Sequence, residues 1–223
     1  MTVQKFSVDA FARPLFSDRI AMAWTDPRAP MPRLMGDEVL AVEHVPAARA
    51  REFAAGRLAA RKAMEMLGHI QRPVLQGPDR APIWPPGLIG SITHSERDCL
   101  AVVSDDPEIC ALGLDLDPAI PLDAATWPRV CTATEMAWLA SLGPSQRGHF
   151  ARLIRCAKEA VFKAQYALAP CSLDYHAITL SFDLGAGEFV ARGCAESAGI
   201  SGRFAILSDN FVAAVELSDR SRP

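Results

Sequence analysis

Residues 99–118 read Cys-Leu-Ala-Val-Val-Ser-Asp-Asp-Pro-Glu-Ile-Cys-Ala-Leu-Gly-Leu-Asp-Leu-Asp-Pro. Cys99–Ser104 and Cys110–Leu116 are apolar runs of strand length, and Asp105–Pro107 between them has turn chemistry. The reading is two short buried strands. A break near Asp105–Glu108 divides the chain into parts of similar size, expected as an N-terminal lobe at 1–107 and a C-terminal lobe at 108–223. Upstream, Arg19–Trp24 reads as a strand and Asp26–Pro32 as a loop. Ala47–Leu67 reads as a helix rich in Ala, Arg, Glu, Leu and Met, stopped by Gly68. Gly77–Gly90 is too rich in proline and glycine for a regular element. An irregular stretch of that length in a compact domain is usually functional.

Downstream, Thr132-x-x-Glu135 fits a capping box ahead of a helix ending at Leu142. His149–Leu168 is the clearest helix: Phe150, Leu153, Ile154, Ala157, Val161, Ala164 and Leu168 fall on one stripe. Four alternating segments then read as antiparallel strands, at His176–Phe182, Glu188–Ala191, Arg203–Leu207 and Phe211–Leu217. Helices and strands are mixed in both halves, so the fold class is α+β.

The chain has 223 residues, 50% of them hydrophobic, with 22% charged residues and a formal net charge of −3. That allows a sizeable core and excludes both a strongly basic nucleic-acid binder and a disordered acidic chain. Cys99, Cys110, Cys131, Cys156, Cys171 and Cys194 contain no C-x-x-C pair, and read as buried free thiols in a reducing compartment. Met1–Ala12 lacks the apolar core of a signal peptide. No run approaches the ~18 apolar residues of a membrane span. The expected location is the cytoplasm.

Asp115 and Asp117 lie two apart on a strand and so share a face, while Leu114 and Leu116 enter the core. Two adjacent carboxylates repel, and a divalent cation relieves that. Hard oxygen donors suit Mg2+, which keeps several waters and binds substrate phosphates. The same spacing also fits a solvated strand end turning at Pro118. Glu159 sits opposite the apolar stripe of its helix, with Lys163 one turn on; that pair could equally be an ordinary exposed ion pair. Arg49, Arg57 and Arg61 punctuate the first long helix and could present a phosphate-binding face or a solvated one. Gly90-Ser91-Ile92-Thr93-His94 is small and hydroxyl-rich, so its backbone and hydroxyls could approach an anion, with His94 as a further donor.

The ordered set Gly56-Arg57-x3-Arg61, Arg80-x-Pro82-x-Trp84-Pro85, Gly90-Ser91-x-Thr93-His94, Gly113-x-Asp115-x-Asp117 and Lys158-Glu159-Ala160-x2-Lys163 resembles the 4'-phosphopantetheinyl transferase superfamily, in its single-chain, enterobactin-synthase-component-D-like branch. The resemblance spans about Arg49–Tyr166. It implies a pseudo-twofold pair of α+β subdomains with coenzyme A and Mg2+ between them, the nucleotide on the first and the metal and catalytic helix on the second. Asp115, Asp117 and Glu159 look like the metal ligands, with Glu159 also helping to deprotonate an acceptor serine. Arg49, Arg57, Arg80, Ser91, Thr93, His94, Lys158 and Lys163 match coenzyme A-binding positions, and Glu159, Lys163 and His94 the catalytic ones.

The implied reaction moves the 4'-phosphopantetheine arm of coenzyme A to a serine of an acyl or peptidyl carrier protein in fatty-acid, polyketide or nonribosomal-peptide synthesis, and releases 3',5'-ADP. A self-contained pseudo-dimer implies a monomer, and the carrier is expected to dock near Trp127–Trp138. Three positions depart from the pattern. Asp117 stands where relatives often have Glu, Arg97-Asp98 where they often have Gly-Tyr, and Gln76 where some carry a base. A phosphotransferase of another kind would need a P-loop or kinase signature, and neither occurs. A catalytically dead coenzyme A-binding module would not need the Asp–Asp–Glu set.

Overall fold

Alternation along the strands sets the layers of this chain. The computed structural model describes residues 15–170, 174–193, 199–206 and 209–218; Met1–Ala12, Cys171, Cys194 and Leu207 lie outside the described residues. Strands β1 (Ala21–Thr25), β4 (Ile89–His94) and β5 (Cys99–Ser104) form an antiparallel sheet in the order β1-β5-β4. Between β1 and β4 lie helix α1 (Ala47–Met66) and a small hairpin of β2 (Leu75–Gln76) and β3 (Pro82–Ile83). Strands β6 (Ile109–Pro118), β7 (Thr179–Asp183), β8 (Glu188–Arg192), β9 (Ile200–Ile206) and β10 (Asn210–Ser218) form a second antiparallel sheet, ordered β6-β10-β9-β8-β7. Helices α2 (Ala133–Ser141) and α3 (Pro144–Leu168) lie between β6 and β7.

Ala21 and Ala23 of β1, with Ala101 and Val103 of β5, pack on Ala59, Ala60, Ala63 and Met64 of α1. The alternate residues Met22, Leu100 and Val102 face Leu112, Leu114 and Leu116 of β6 and Val212 and Ala214 of β10. Ala111, Phe211, Ala213 and Val215, on the other face of the second sheet, cover Leu153, Ile154, Ala157 and Val161 of α3. Period-2 alternation thus builds four layers, helix on sheet on sheet on helix, and the central core belongs to both sheets. The connectivity repeats: β1-α1-β4-β5 and β6-α3-β9-β10 each run strand, long helix, hairpin, with the last strand paired between the first and the third.

The two strands of residues 99–118 are both present, but β5 and β6 do not pair with each other. The chain crosses from one sheet to the other at residues 105–108. Helix α3 begins at Pro144 rather than His149; Gly143 caps it and Pro144 takes the first turn, where its missing N–H costs nothing. Its first turn is polar, so the hydrophobic stripe does not report it. Gly68, at φ +81, ends α1 as expected. The Thr132–Glu135 capping box forms with both reciprocal hydrogen bonds. Cys99, Cys110, Cys131 and Cys156 are free thiols.

Gly113 sits where α3 crosses close over β6. A Cβ there would lie 1.9 Å from the carbonyl oxygen of Ala160. Gly113→Ala must therefore push α3 off the sheet, at a cost of about 1–3 kcal/mol or more for overpacking. Chemical denaturation should show at least that loss, and a variant as stable as the parent would contradict this packing.

Candidate functional site

The two sheets meet along β4 and β6, and side chains stand in there for a backbone ladder. Ser91 Oγ accepts the Leu114 N–H at 3.1 Å, and Thr93 Oγ1 accepts the Leu116 N–H at 3.2 Å. These amides lie on the edge of β6 turned away from β10, and without the hydroxyls they would be buried and unpaired. Thr93 Oγ1 also donates to Asp115 Oδ1 at 3.1 Å. At the end of this seam opens a cleft of about 380 Å³. Five cations line it, Arg49, Arg57, Arg80, Arg155 and Lys163, against four carboxylates, Glu52, Asp115, Asp117 and Glu159. Thr93, His94 and Gln76 complete its polar wall.

Asp115 and Asp117 lie on the same face of β6 as Gly113, the face α3 crosses, so the helix lays charged partners directly over them. Lys163 Nζ donates to Asp115 Oδ1 at 2.7 Å and to the Leu114 carbonyl at 2.9 Å. Arg155 donates to Asp117 Oδ1, whereas Asp117 Oδ2 is buried and has no partner. Burial, and then the neighbouring Asp115 charge, push Asp117 up to about 6 against the pull of Arg155 and Arg152. Oxygens of Asp115 and Asp117 and the Cys156 sulfur all fall within 4.8 Å of one another. Complete burial raises the Cys156 thiol well above its ordinary range, and its sulfur donates to the Phe211 carbonyl at 3.7 Å. Two hard oxygen donors, one with an unused lone-pair set, fit a divalent cation such as Mg2+. Glu159 lines the same cleft outside that 4.8 Å group, and its Oε1 accepts from the Tyr175 hydroxyl.

On the other wall, Arg49 pairs with Glu52 at 3.1 Å and also donates to His94 Nε2. Since a guanidinium only donates, His94 Nε2 carries the lone pair, and its proton sits on Nδ1, 3.5 Å from Glu52. Burial, and then the Arg49 charge, hold His94 below the usual imidazole range, so it is neutral at pH 7. Arg57 is buried over the Phe53 ring and donates to the Val74 and Leu75 carbonyls; burial lowers it to about 10, still fully charged. Arg80 takes φ +70, a rare backbone state for a side chain of this size. Its neighbour Asp79 accepts from Tyr166 of α3, which ties the loop to the opposite lobe.

Thr93, His94, Arg49, Arg57, Arg80, Asp115, Asp117, Glu159 and Lys163 are thus brought to one cleft. Two expected coenzyme A contacts are not. Ser91 is 4% exposed and its hydroxyl is spent on the seam. Lys158 is 0% exposed, and its ammonium donates to the Val130 and Tyr175 carbonyls and to Glu135 at 2.6–2.9 Å. Lys158 points from α3 into the core because it is one residue, about 100°, from Glu159. Arg61 is likewise internal, in an ion pair with buried Glu38.

Trp127 and Trp138 are both part-exposed: Trp127 donates to the Leu122 carbonyl, and Trp138 stacks on Phe182. The Arg97-Asp98 turn closes because Ser95 Oγ accepts both amides, while Asp98 accepts the Trp24 indole. Arg155, Glu52 and Tyr175 were not anticipated. Arg155 lies one turn before Glu159 and Glu52 one turn after Arg49, so helical spacing could have found them; nothing local marks Tyr175.

Fold and cleft together give two α+β halves with a cleft of cations and carboxylates where their sheets meet. The chain belongs to the 4'-phosphopantetheinyl transferase superfamily, whose family model matches residues 111–216, while the model of the 4'-phosphopantetheinyl transferase N-terminal domain matches residues 37–104. Among curated relatives, 4'-phosphopantetheinyl transferase Svp of Streptomyces mobaraensis is 38% identical over 172 residues, 76% of this chain and 70% of that protein. 4'-Phosphopantetheinyl transferase PptT of Mycobacterium tuberculosis is 28% identical over 91% of this chain and 90% of its own length. Enterobactin synthase component D of Escherichia coli K12 is 32% identical over 62% of this chain and 66% of its own.

The Lys158 geometry separates two neighbouring lysines by experiment. Lys158→Met strands buried Glu135 and should cost about 3–5 kcal/mol of unfolding free energy. Lys163→Met, at the rim of the cleft, should cost clearly less. Equal denaturation midpoints for Lys158→Met and the parent would place the Lys158 ammonium outside the core.

Proposed function

We propose that this chain moves the 4'-phosphopantetheine arm of coenzyme A onto a serine of an apo acyl or peptidyl carrier protein, with Mg2+ as cofactor. One observation carries the reading: cations from the first lobe face paired carboxylates from the second across a single cleft. The nucleotide belongs on the 1–107 lobe, where Arg49, Arg57 and Arg80 offer permanent charges to the adenine nucleotide and its 3'-phosphate. The diphosphate belongs at the seam, beside Thr93, His94 and Lys163. The metal and the reacting serine belong to the 108–223 lobe.

The serine oxygen attacks the β-phosphorus, the bond from that phosphorus to the bridging oxygen breaks, and 3',5'-ADP leaves with the electron pair. The serine proton passes to a base. Glu159 suits that role because Tyr175 holds one of its oxygens and leaves the other for the hydroxyl. Asp115 and Asp117 would hold Mg2+, with Glu159 reaching it from α3. The bound ion would supply charge stabilisation to the diphosphate oxygens. Positioning and charge carry the barrier reduction in phosphoryl transfer, so a polar, pre-organised cleft is the appropriate catalyst.

Lys158 serves this site at one remove. Its ammonium holds the Tyr175 carbonyl, and Tyr175 in turn orients Glu159. Free thiols and a cleft completed within one chain favour a cytoplasmic monomer. No helix among the described residues is long and apolar enough to cross a membrane. Fatty-acid, polyketide and nonribosomal-peptide carriers share the serine this chemistry needs, and secondary-metabolite synthesis is the setting we favour.

Incubation with coenzyme A, Mg2+ and a panel of apo carrier proteins should add about 340 Da, the mass of one arm in a phosphoryl transfer, to at least one of them. Asp115→Ala and Glu159→Ala should each abolish that gain while melting cooperatively. Parent-like gain in either variant would remove the metal-site assignment.

A further inference from the structure

Three carboxylates line the acidic end of the cleft, and each has its own internal donor. Asp115 has Lys163, Glu159 has Tyr175 and Asp117 has Arg155. The Arg155 pair differs from a permanent structural pair elsewhere in the chain. Glu38 uses both oxygens on Arg61 and also accepts the Val74 and Met35 amides, and Arg61 further donates to the Arg33 carbonyl. In the cleft pair, Asp117 Oδ2 and Arg155 Nε are both buried with no partner. A carboxylate matched for good has both oxygens used, as Glu38 does. Here the carboxylate is only 6% exposed yet half used, beside a guanidinium on the cleft wall one turn from Glu159.

We propose that Arg155 is an exchangeable counter-ion, a positioning residue that couples metal binding to coenzyme A; this rests on the phosphopantetheinyl transfer reading. With no anion in the cleft, Arg155 occupies Asp117. When the coenzyme A diphosphate enters, the guanidinium passes to a phosphate oxygen and leaves Asp117 to the divalent cation. Charge counting requires the two events together. At this end of the cleft, three carboxylates against Lys163, Arg155 and the nearby Arg152 leave no net negative charge to balance a divalent ion. Arg155 cannot lose its proton, so displacing it from Asp117 alone would take a guanidinium from its contact counter-charge in a mostly buried site. The diphosphate supplies that counter-charge. Arg155 thereby keeps Asp117, with its shorter arm, neutralised and in place until substrate arrives.

Binding of Mn2+, followed by the electron-paramagnetic signal of the free ion, reads this coupling without turnover. In the parent, coenzyme A should tighten Mn2+ binding by about tenfold or more, a typical coupling between two sites. Arg155→Met should bind Mn2+ more tightly than the parent when coenzyme A is absent, and the coupling should fall below about threefold on the same scale. Arg155→Lys keeps the charge and should retain part of the coupling. It also carries the test if Arg155→Met does not fold, with tighter Mn2+ binding and weaker coupling than the parent expected. Unchanged coupling in a folded Arg155→Met protein, or weaker Mn2+ binding without coenzyme A, would overturn the proposal. A parent that does not bind coenzyme A at all would instead sink the transfer reading, which is a distinguishable result.

Discussion

Everything at this site depends on how two sheet edges meet. Strand β6 presents the Leu114 and Leu116 amides to strand β4, and β4 answers with the Ser91 and Thr93 hydroxyls instead of its backbone. A continuous ladder would fuse the sheets into one surface. Side-chain bridging keeps them apart and lets the shared core of Leu100, Val102, Leu112 and Leu114 close between them. It also leaves a gap at the end of the seam, and the cleft occupies that gap. Thr93 shows the economy of the arrangement: one hydroxyl satisfies the Leu116 amide and orients Asp115.

The second constraint is the close crossing of α3 over β6 at Gly113. Because the helix lies against the strand there, the next two residues on that face, Asp115 and Asp117, meet Lys163 and Arg155 at contact distance. The helix divides its charged residues by rotation. Lys158 goes into the core to hold Glu135 and the Tyr175 carbonyl, and Glu159 goes to the cleft. The adjacent pair Lys158-Glu159 therefore carries two jobs in different dielectric environments. Only the second faces the cleft.

The sequence was most legible where periodicity and capping are local. The Ala47–Met66 helix, the Thr132 capping box and the converging face of Asp115 and Asp117 follow from spacing that any chain must obey. It was least legible where partners come from distant segments. Nothing near Lys158 announces Glu135, nothing near Arg61 announces Glu38, and a lysine beside a cleft-facing glutamate reads naturally as a phosphate ligand. Ser91 misleads for the same reason: a hydroxyl in a small-residue turn can serve an anion or a backbone amide, and the choice is made by β6, 23 residues away. The absence of pairing between β5 and β6 is also a long-range decision, since β10, the last strand of the described chain, takes the place beside β6.

The central claim is that the seam between the sheets holds the coenzyme A diphosphate and a divalent cation together. Crystals grown with coenzyme A and Mn2+ test it most directly through the anomalous signal of the ion. The account predicts a single strong peak between Asp115 and Asp117, with the diphosphate beside Thr93, His94 and Lys163. A peak elsewhere, or coenzyme A bound away from the β4–β6 seam, would contradict it.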